Sequence, residues 1–504
     1  MLRQPFTIGE KMAGKKKQRI ETMLLWGSVL IFTALYISLI FNQNVWTDEI
    51  FTMKLLKEDF AGIVEGTAKD VHPPLYYLIA KTAQLLFGES LQVQKIVTLI
   101  PMSLTLALGA GKLRKQFGFL TGLFYIWIAG CIPCTMEFAV QVRMYSMALL
   151  AVTCCGIYAW ECWKEGKKSQ WAGLALSALA AAYLHYFALV SVLWIIGILF
   201  LAILFGKRER LRGWLIAAAC MAAGYAPWLG TFLEQFSGVS ESYWIPPITW
   251  ETVAGCFQWA FGIHKWQWPG WLFTGVLVGA AVWLLIGTIR QKSAPEKGIF
   301  ALLCLSVPAL TMALGLGLSF LIRPIYRDQY ALPAMGLLSL FLAMALAEAV
   351  RGLAHKKKGA TARGRRDAAF WGCAVILGGV CLLILFLGAV QYLEVWRQEY
   401  KSTLTDQTLE FWEENVGEND LIVYNLEVYE FCYSYYFPEE KLAYVRDVDL
   451  SQDFDTIWFL DTPGEWEFVP DQILPYDLQI EYEGHYGIEH NEFDIYRVTK
   501  GEGA

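Results

Sequence analysis

The chain has 504 residues, 56% of them hydrophobic, with 21 Trp and a mean hydropathy of +0.39. Soluble globular proteins of this length are not so apolar. The net charge of −6 hides a division: residues 391–504 carry 27 acidic and 6 basic side chains, leaving 20 acidic and 35 basic of the totals of 47 and 41 for the rest. The basic excess sits in short loops between apolar runs, which reads as a membrane-topology signal and not as a nucleic-acid surface.

A bilayer-spanning helix needs about 20 apolar residues. Runs of that kind lie at 22–42, 91–111, 119–136, 145–163, 170–187, 188–206, 213–230, 270–289, 299–322, 329–350 and 369–390, about eleven spans in all. The first run, Met23 to Phe41, is too long for a signal-peptide core and has no small-residue cleavage site. The basic N-terminus (1–21) carries Lys11, Lys15, Lys16, Lys17 and Arg19, and every second later loop is basic: Lys112/Arg114/Lys115, Lys164/Lys167/Lys168, Lys207/Arg208/Arg210/Arg212, Arg290/Lys292/Lys297 and Lys356 to Arg366. The positive-inside rule puts all of these in the cytoplasm. The expectation is a multi-pass cell-membrane protein with its N-terminus cytoplasmic and its C-terminal segment outside.

The loops that then face outward hold the chemistry. Trp46-Thr47-Asp48-Glu49 follows the first span. An acidic pair at a membrane boundary suits a general base or a metal ligand, and equally a solvated helix N-terminus. The stretch from Glu49 to Glu65 reads as an interfacial helix, and Pro73 to Gly88, too short to span, as a second one. Between them, Asp70-Val71-His72-Pro73-Pro74 fixes an Asp and a His two residues apart ahead of a proline-started helix. Such a pair can share a divalent cation or a phosphate, or be a cap and a packed ring. Gln141-Val142-Arg143-Met144-Tyr145 opens the fourth span. An arginine there opposes the helix dipole, so it fits an anion ligand or a partner for Glu137 better than a structural role. His185-Tyr186 occupies a tight outward turn, and Arg323, Arg327 and Asp328 another, where basic residues point to an anionic partner. Together these groups indicate outward-facing chemistry on an anionic, lipidic substrate, with a base able to activate a hydroxyl.

The segment 391–504 changes character. Leu404 to Val416 has an amphipathic helical pattern, and 421–424, 441–445, 456–460, 478–482 and 493–498 have strand patterns. About 110 residues can bury a core of their own, so a small acidic α/β domain is expected. It has one cysteine, Cys432, and hence no internal disulfide. The remaining cysteines lie mostly inside apolar runs as small fillers, and Cys131-Ile-Pro-Cys134 is an isolated CxxC.

At these residues the chain resembles the membrane glycosyltransferases of the GT-C fold. The closest likeness is to the protein O-mannosyltransferase-like group (glycosyltransferase family 39-like), which includes the lipid A aminoarabinose transferases. The resemblance covers roughly residues 20 to 345. It rests on Asp48-Glu49 after the first span, on Asp70-Val-His72-Pro-Pro-Leu-Tyr-Tyr77, on Gln141-Val-Arg143-Met-Tyr145 and on an Arg- and Tyr-containing turn before a late span. It implies a GT-C catalytic part over 22–390 and inverting transfer of a sugar from a polyprenyl-phosphate donor to an envelope glycan, lipid or protein. It further implies Asp48 as base with Glu49 in support, and Asp70 and His72 near donor phosphate or a divalent metal ion. Arg143, Tyr145, His185, Arg323 and Arg327 are the further candidate substrate contacts. Aminoarabinose-type relatives carry a lysine before the prolines where this chain has His72. A flippase-like transporter of lipid or polysaccharide, or a non-catalytic envelope protein, is the alternative.

Overall fold

The computed structural model describes residues 8–41, 45–241, 245, 247–263, 266, 268–290, 295–358, 365–400, 404–448, 454–464, 477–489 and 491–501. In chain order the helices begin α1 (Ile8–Ile37), α2 (Thr47–Leu55), α3 (Phe60–Lys69), α4 (Leu75–Phe87), α5 (Leu91–Leu108), α6 (Arg114–Phe117), α7 (Phe119–Cys131), α8 (Pro133–Glu137) and α9 (Tyr145–Lys164). They continue with α10 (Lys168–Leu184), α11 (Tyr186–Gly206), α12 (Leu211–Glu241), α13 (Trp250–Gln258), α14 (Trp268–Arg290), α15 (Glu296–Leu321), α16 (Met335–Lys358) and α17 (Arg365–Tyr400). Two more, α18 (Leu404–Asn415) and α19 (Glu430–Tyr436), accompany five strands: β1 (Leu421–Tyr424), β2 (Leu442–Tyr444), β3 (Ile457–Asp461), β4 (Leu478–Ile488) and β5 (Asn491–Lys500). Two compact units result: residues 1–40 with 58–395, and residues 41–57 with 396–504.

The first unit is a helical membrane protein. Among the described residues nine helices are long and apolar enough to cross a bilayer. They coincide with nine of the eleven runs read from the sequence. The other two are shorter, α7 at 13 residues and α10 at 17. Thirteen residues rise about 20 Å against a hydrocarbon core of about 30 Å. The cause in α7 is Pro133, which drives Ile132 to an extended conformation (φ −61, ψ 127) before α8 resumes with proline in its first turn. The chain just past α5 touches α7 through glycine: a Cβ on Gly122 would lie 2.4 Å from the Gly109 carbonyl, so no larger side chain fits.

The basic loops gather at one end of this bundle. Lys112 Nζ lies 3.0 and 2.9 Å from the two Glu161 oxygens. Lys207 donates to the Trp163 carbonyl, Arg210 to that of Cys162 and Arg351 to that of Phe117. Arg114 reaches Thr22 near the start of the first span. The helix α9 runs from this end to the opposite one, where Tyr145 begins it.

Three expectations of detail differ from what folds. The single helix read over Glu49 to Glu65 is two, α2 and α3, because Asp59 caps a new start by accepting the Gly62 N–H at 2.7 Å. The turn at 184–187 shrinks to one extended residue, His185 (φ −161, ψ 139). Helix α12 runs on to Glu241, past the end of the apolar run at residue 230.

In the second unit the five strands order as β2-β1-β3-β5-β4, with β2, β1 and β3 parallel and the last two pairings antiparallel. Val423, Val445, Phe454, Ile457, Phe459 and Val498 form its core. The helix α2 belongs here, packed on α19. Phe51 meets Phe431 at 6.4 Å, Lys54 Nζ bonds Ser434 Oγ at 2.6 Å and lies 3.6 Å from Glu439, and Cys432 Sγ sits 3.9 Å from Thr47 Oγ1.

Candidate active site

At the end of the first unit opposite the basic loops, four short segments converge. Pro73 and Pro74 stiffen the chain between α3 and α4, and His72 stands just before them, only 12% exposed at its side chain. Its Nδ1 lies 2.7 Å from Asp70 Oδ2 and its Nε2 3.5 Å from Arg143 Nη2. Arg143, 3% exposed, also donates to Tyr77 Oη at 3.2 Å. Burial pushes the Asp70 carboxyl up, but the His72 bond and charge, the Val71 N–H and Arg143 outweigh it and hold it below its ordinary value.

His185 completes the cluster, its ring 5.9 Å from that of His72, 5.5 Å from Tyr145 and 5.1 Å from Tyr330. Its Nδ1 accepts the Phe187 N–H at 3.1 Å and thereby starts α11, so the proton of the neutral ring is on Nε2. Burial, then the charges of His72 and Arg143, push its pKa well below the usual range and keep it neutral. The structure thus brings together Asp70, His72, Arg143, Tyr145 and His185. Arg323 and Arg327 are half-buried in the stretch between α15 and Asp328, and Arg327 acts electrostatically on Asp328.

Asp70 and His72, read from the sequence as ligands of a divalent cation or a phosphate, bond to each other in this structure. The two side chains are spent on each other, a guanidinium stands beside the second imidazole nitrogen, and among the described residues no group of three or more His, Cys, Asp or Glu could hold an ion. The groups bearing on Glu137 are its own burial and Asp328, which raise it to about 7.

Two contributions were invisible in the sequence. Gln235, on the extension of α12, is 9% exposed; its amide donates to the carbonyls of Thr67 (2.8 Å), Ala68 (3.1 Å) and Asp70, and its oxygen accepts from Tyr186. It ties down the segment that carries Asp70, and nothing short of the fold reveals a partner 165 residues away. Tyr326 is the other. Its ring packs on Phe187 at 5.3 Å and against Gly315, and its hydroxyl is buried without a hydrogen-bond partner among the described residues.

Asp48 and Glu49 lie in the first turn of α2, in the second unit. Glu49 is buried, and its Oε2 accepts the Trp46 N–H at 2.8 Å, closing the start of its own helix. Asp48 is half-buried. The Cys131/Cys134 pair is two free, buried thiols.

No protein-family model and no curated protein matches the chain. Among solved structures it is similar to ArnT from Cupriavidus metallidurans bound to undecaprenyl phosphate, with a TM-score of 0.58 and 12% identity over 94% of this chain and 97% of that one. It is similar also to the apo state of the same protein, with a TM-score of 0.55 and 13% identity over 93% and 98%. The chain shares the GT-C fold of ArnT.

Proposed function

We propose that this protein is an integral-membrane glycosyltransferase that moves a sugar from a polyprenyl-phosphate donor to a hydroxyl of a cell-envelope acceptor on the outer face. The observation that carries the reading is the buried Arg143–His72–Asp70 chain beside neutral His185. Charged groups at the end of a membrane bundle are expensive unless they serve a ligand. A guanidinium with neutral hydroxyl and imidazole neighbours suits a phosphate, which accepts from its planar fork. A lipid-linked phosphate is the anion that a membrane presents at that depth. The similar fold crystallised with undecaprenyl phosphate supports the same donor class.

In this reading an acceptor oxygen attacks the anomeric carbon as the carbon–oxygen bond to phosphate breaks. The bonding electrons leave with polyprenyl phosphate, whose charge Arg143 offsets with His72 beside it, and the anomeric configuration inverts. The acceptor proton goes to Asp48, the carboxylate that the resemblance marks as base; Glu49, already engaged at the start of α2, supports it.

The test is purified full-length protein in nanodiscs with radiolabelled polyprenyl-phosphate sugar and a total envelope fraction as acceptor source. The label should leave the lipid and free polyprenyl phosphate should appear. Asp48→Asn keeps the shape and removes the proton acceptor, so turnover should fall about 100-fold or more with donor binding retained. Label that stays on the lipid while crossing between leaflets would identify a transporter instead.

A further inference from the structure

Beside the phosphate-type cluster lies a second group of polar side chains with opposite electrostatics. Glu137 ends α8, which packs on the turn holding Asp328, and burial followed by the Asp328 charge raises its carboxyl to about 7. The Tyr326 hydroxyl, 1% exposed at the residue and without a hydrogen-bond partner among the described residues, lies in the field of the Cys256 thiol and the Asp328 carboxylate. Two carboxyl groups that raise each other's cost, with Arg327 offsetting Asp328 only in part, and a buried hydroxyl left unsatisfied are both costs. A ligand that donates hydrogen bonds removes both.

The surroundings name the ligand class. Aromatic rings pack around these groups: Phe138 meets Tyr145 at 5.0 Å and Trp259 at 6.1 Å, and Tyr326 meets Tyr330 at 6.3 Å. Carboxylates that accept from hydroxyls, beside apolar ring faces, suit a sugar. The two clusters share walls. Tyr145 and Tyr330 both touch His185, and Gln329, next to Asp328, donates to Tyr145 Oη at 3.4 Å. In a lipid-phosphate sugar the ring is joined directly to the phosphate, so its subsite must adjoin the phosphate's.

We infer that Glu137, Asp328 and Tyr326 form the subsite for the donor's sugar, and that this sugar presents hydroxyl or ammonium donors there and not a carboxylate. This rests on the glycosyltransferase reading above. Two acidic side chains would repel a uronic acid, while Tyr326 offers one further hydroxyl as donor or acceptor.

The experiment measures binding of four probes to the full-length protein: bare polyprenyl phosphate and its hexose, amino-hexose and uronic-acid esters. The wild type should bind the hexose or the amino-hexose ester at least about tenfold more tightly than the uronic ester. Glu137→Gln and Tyr326→Phe should erase most of that preference while binding bare polyprenyl phosphate within about twofold of wild type, which also shows that the variants are folded. Equal weakening for every probe, an unchanged preference, or tightest binding of the uronic ester overturns the sugar subsite and leaves the phosphate site standing. A wild type that binds none of the four, bare polyprenyl phosphate included, overturns the glycosyltransferase reading and this inference with it.

Discussion

Burying His185 neutral and Asp70 charged within one cluster requires opposite electrostatic environments a few ångströms apart, and chain geometry supplies them. His185 spends one nitrogen on the start of α11, whereas Asp70 is held ionised by His72, Val71 and Arg143. Because the folded Asp70 value is depressed, its stabilisation is present above its ordinary value of 3.8 and is lost as pH falls through the lower folded value. Glu137 has the opposite sign. Its folded value is raised to about 7 from an ordinary 4.5, so stability is fully present below 4.5 and is lost as pH rises through 7. The groups bearing on it are Asp328 and, through the Asp328 and Cys134 neighbourhood, Cys256 and Tyr326. Glu137→Gln should therefore gain thermal stability relative to wild type between pH 5.5 and pH 8, read as a widening difference in unfolding temperature. A difference that stays constant with pH would mean that Glu137 does not titrate there.

The helix α2 is joined to α19 of the C-terminal domain by contacts spanning 380 and 385 residues, Lys54 to Ser434 and Thr47 to Cys432. Lys54→Ala removes a hydrogen bond worth about 0.5–1.5 kcal/mol. Amide exchange in α2 should then quicken by about 2- to 12-fold with β1 and β3 unchanged; equal exchange in both proteins would show that α2 does not depend on the sheet. This joining could not be read from local pattern. The strands 421–424 and 456–460 were legible as alternating or β-branched runs between turn residues, and the structure sets them at Leu421–Tyr424 and Ile457–Asp461. Apolar length likewise revealed the spans, except where Pro133 cut one short. Asp70, His72 and Arg143 stood out because charge at a span end is costly. Gln235 and Tyr326 did not, since a glutamine on a helix and a tyrosine in an aromatic-rich turn look ordinary until their partners, or the lack of one, are seen.

On the scale of the whole molecule, the first unit has two chemically distinct ends. One gathers Lys112, Arg114, Lys207, Arg210 and Arg351; the other gathers Asp70, His72, Arg143 and His185. From the positive-inside rule we propose that the first end lies in the cytoplasm. Reporter fusions after Lys168 and after Tyr400 should give cytoplasmic and external signals respectively, and two signals on the same side would refute this orientation. The claim on which everything else depends is that the second end binds a lipid-linked phosphate through Arg143. Binding of polyprenyl-phosphate sugar to wild type, Arg143→Ala and Arg143→Lys in nanodiscs tests it. The account predicts a loss of about 30-fold or more for alanine, in keeping with about 2 kcal/mol for a charge-assisted contact, and a partial recovery for lysine, which keeps the charge without the planar fork. Alanine and lysine variants that both bind the donor as tightly as wild type would contradict it.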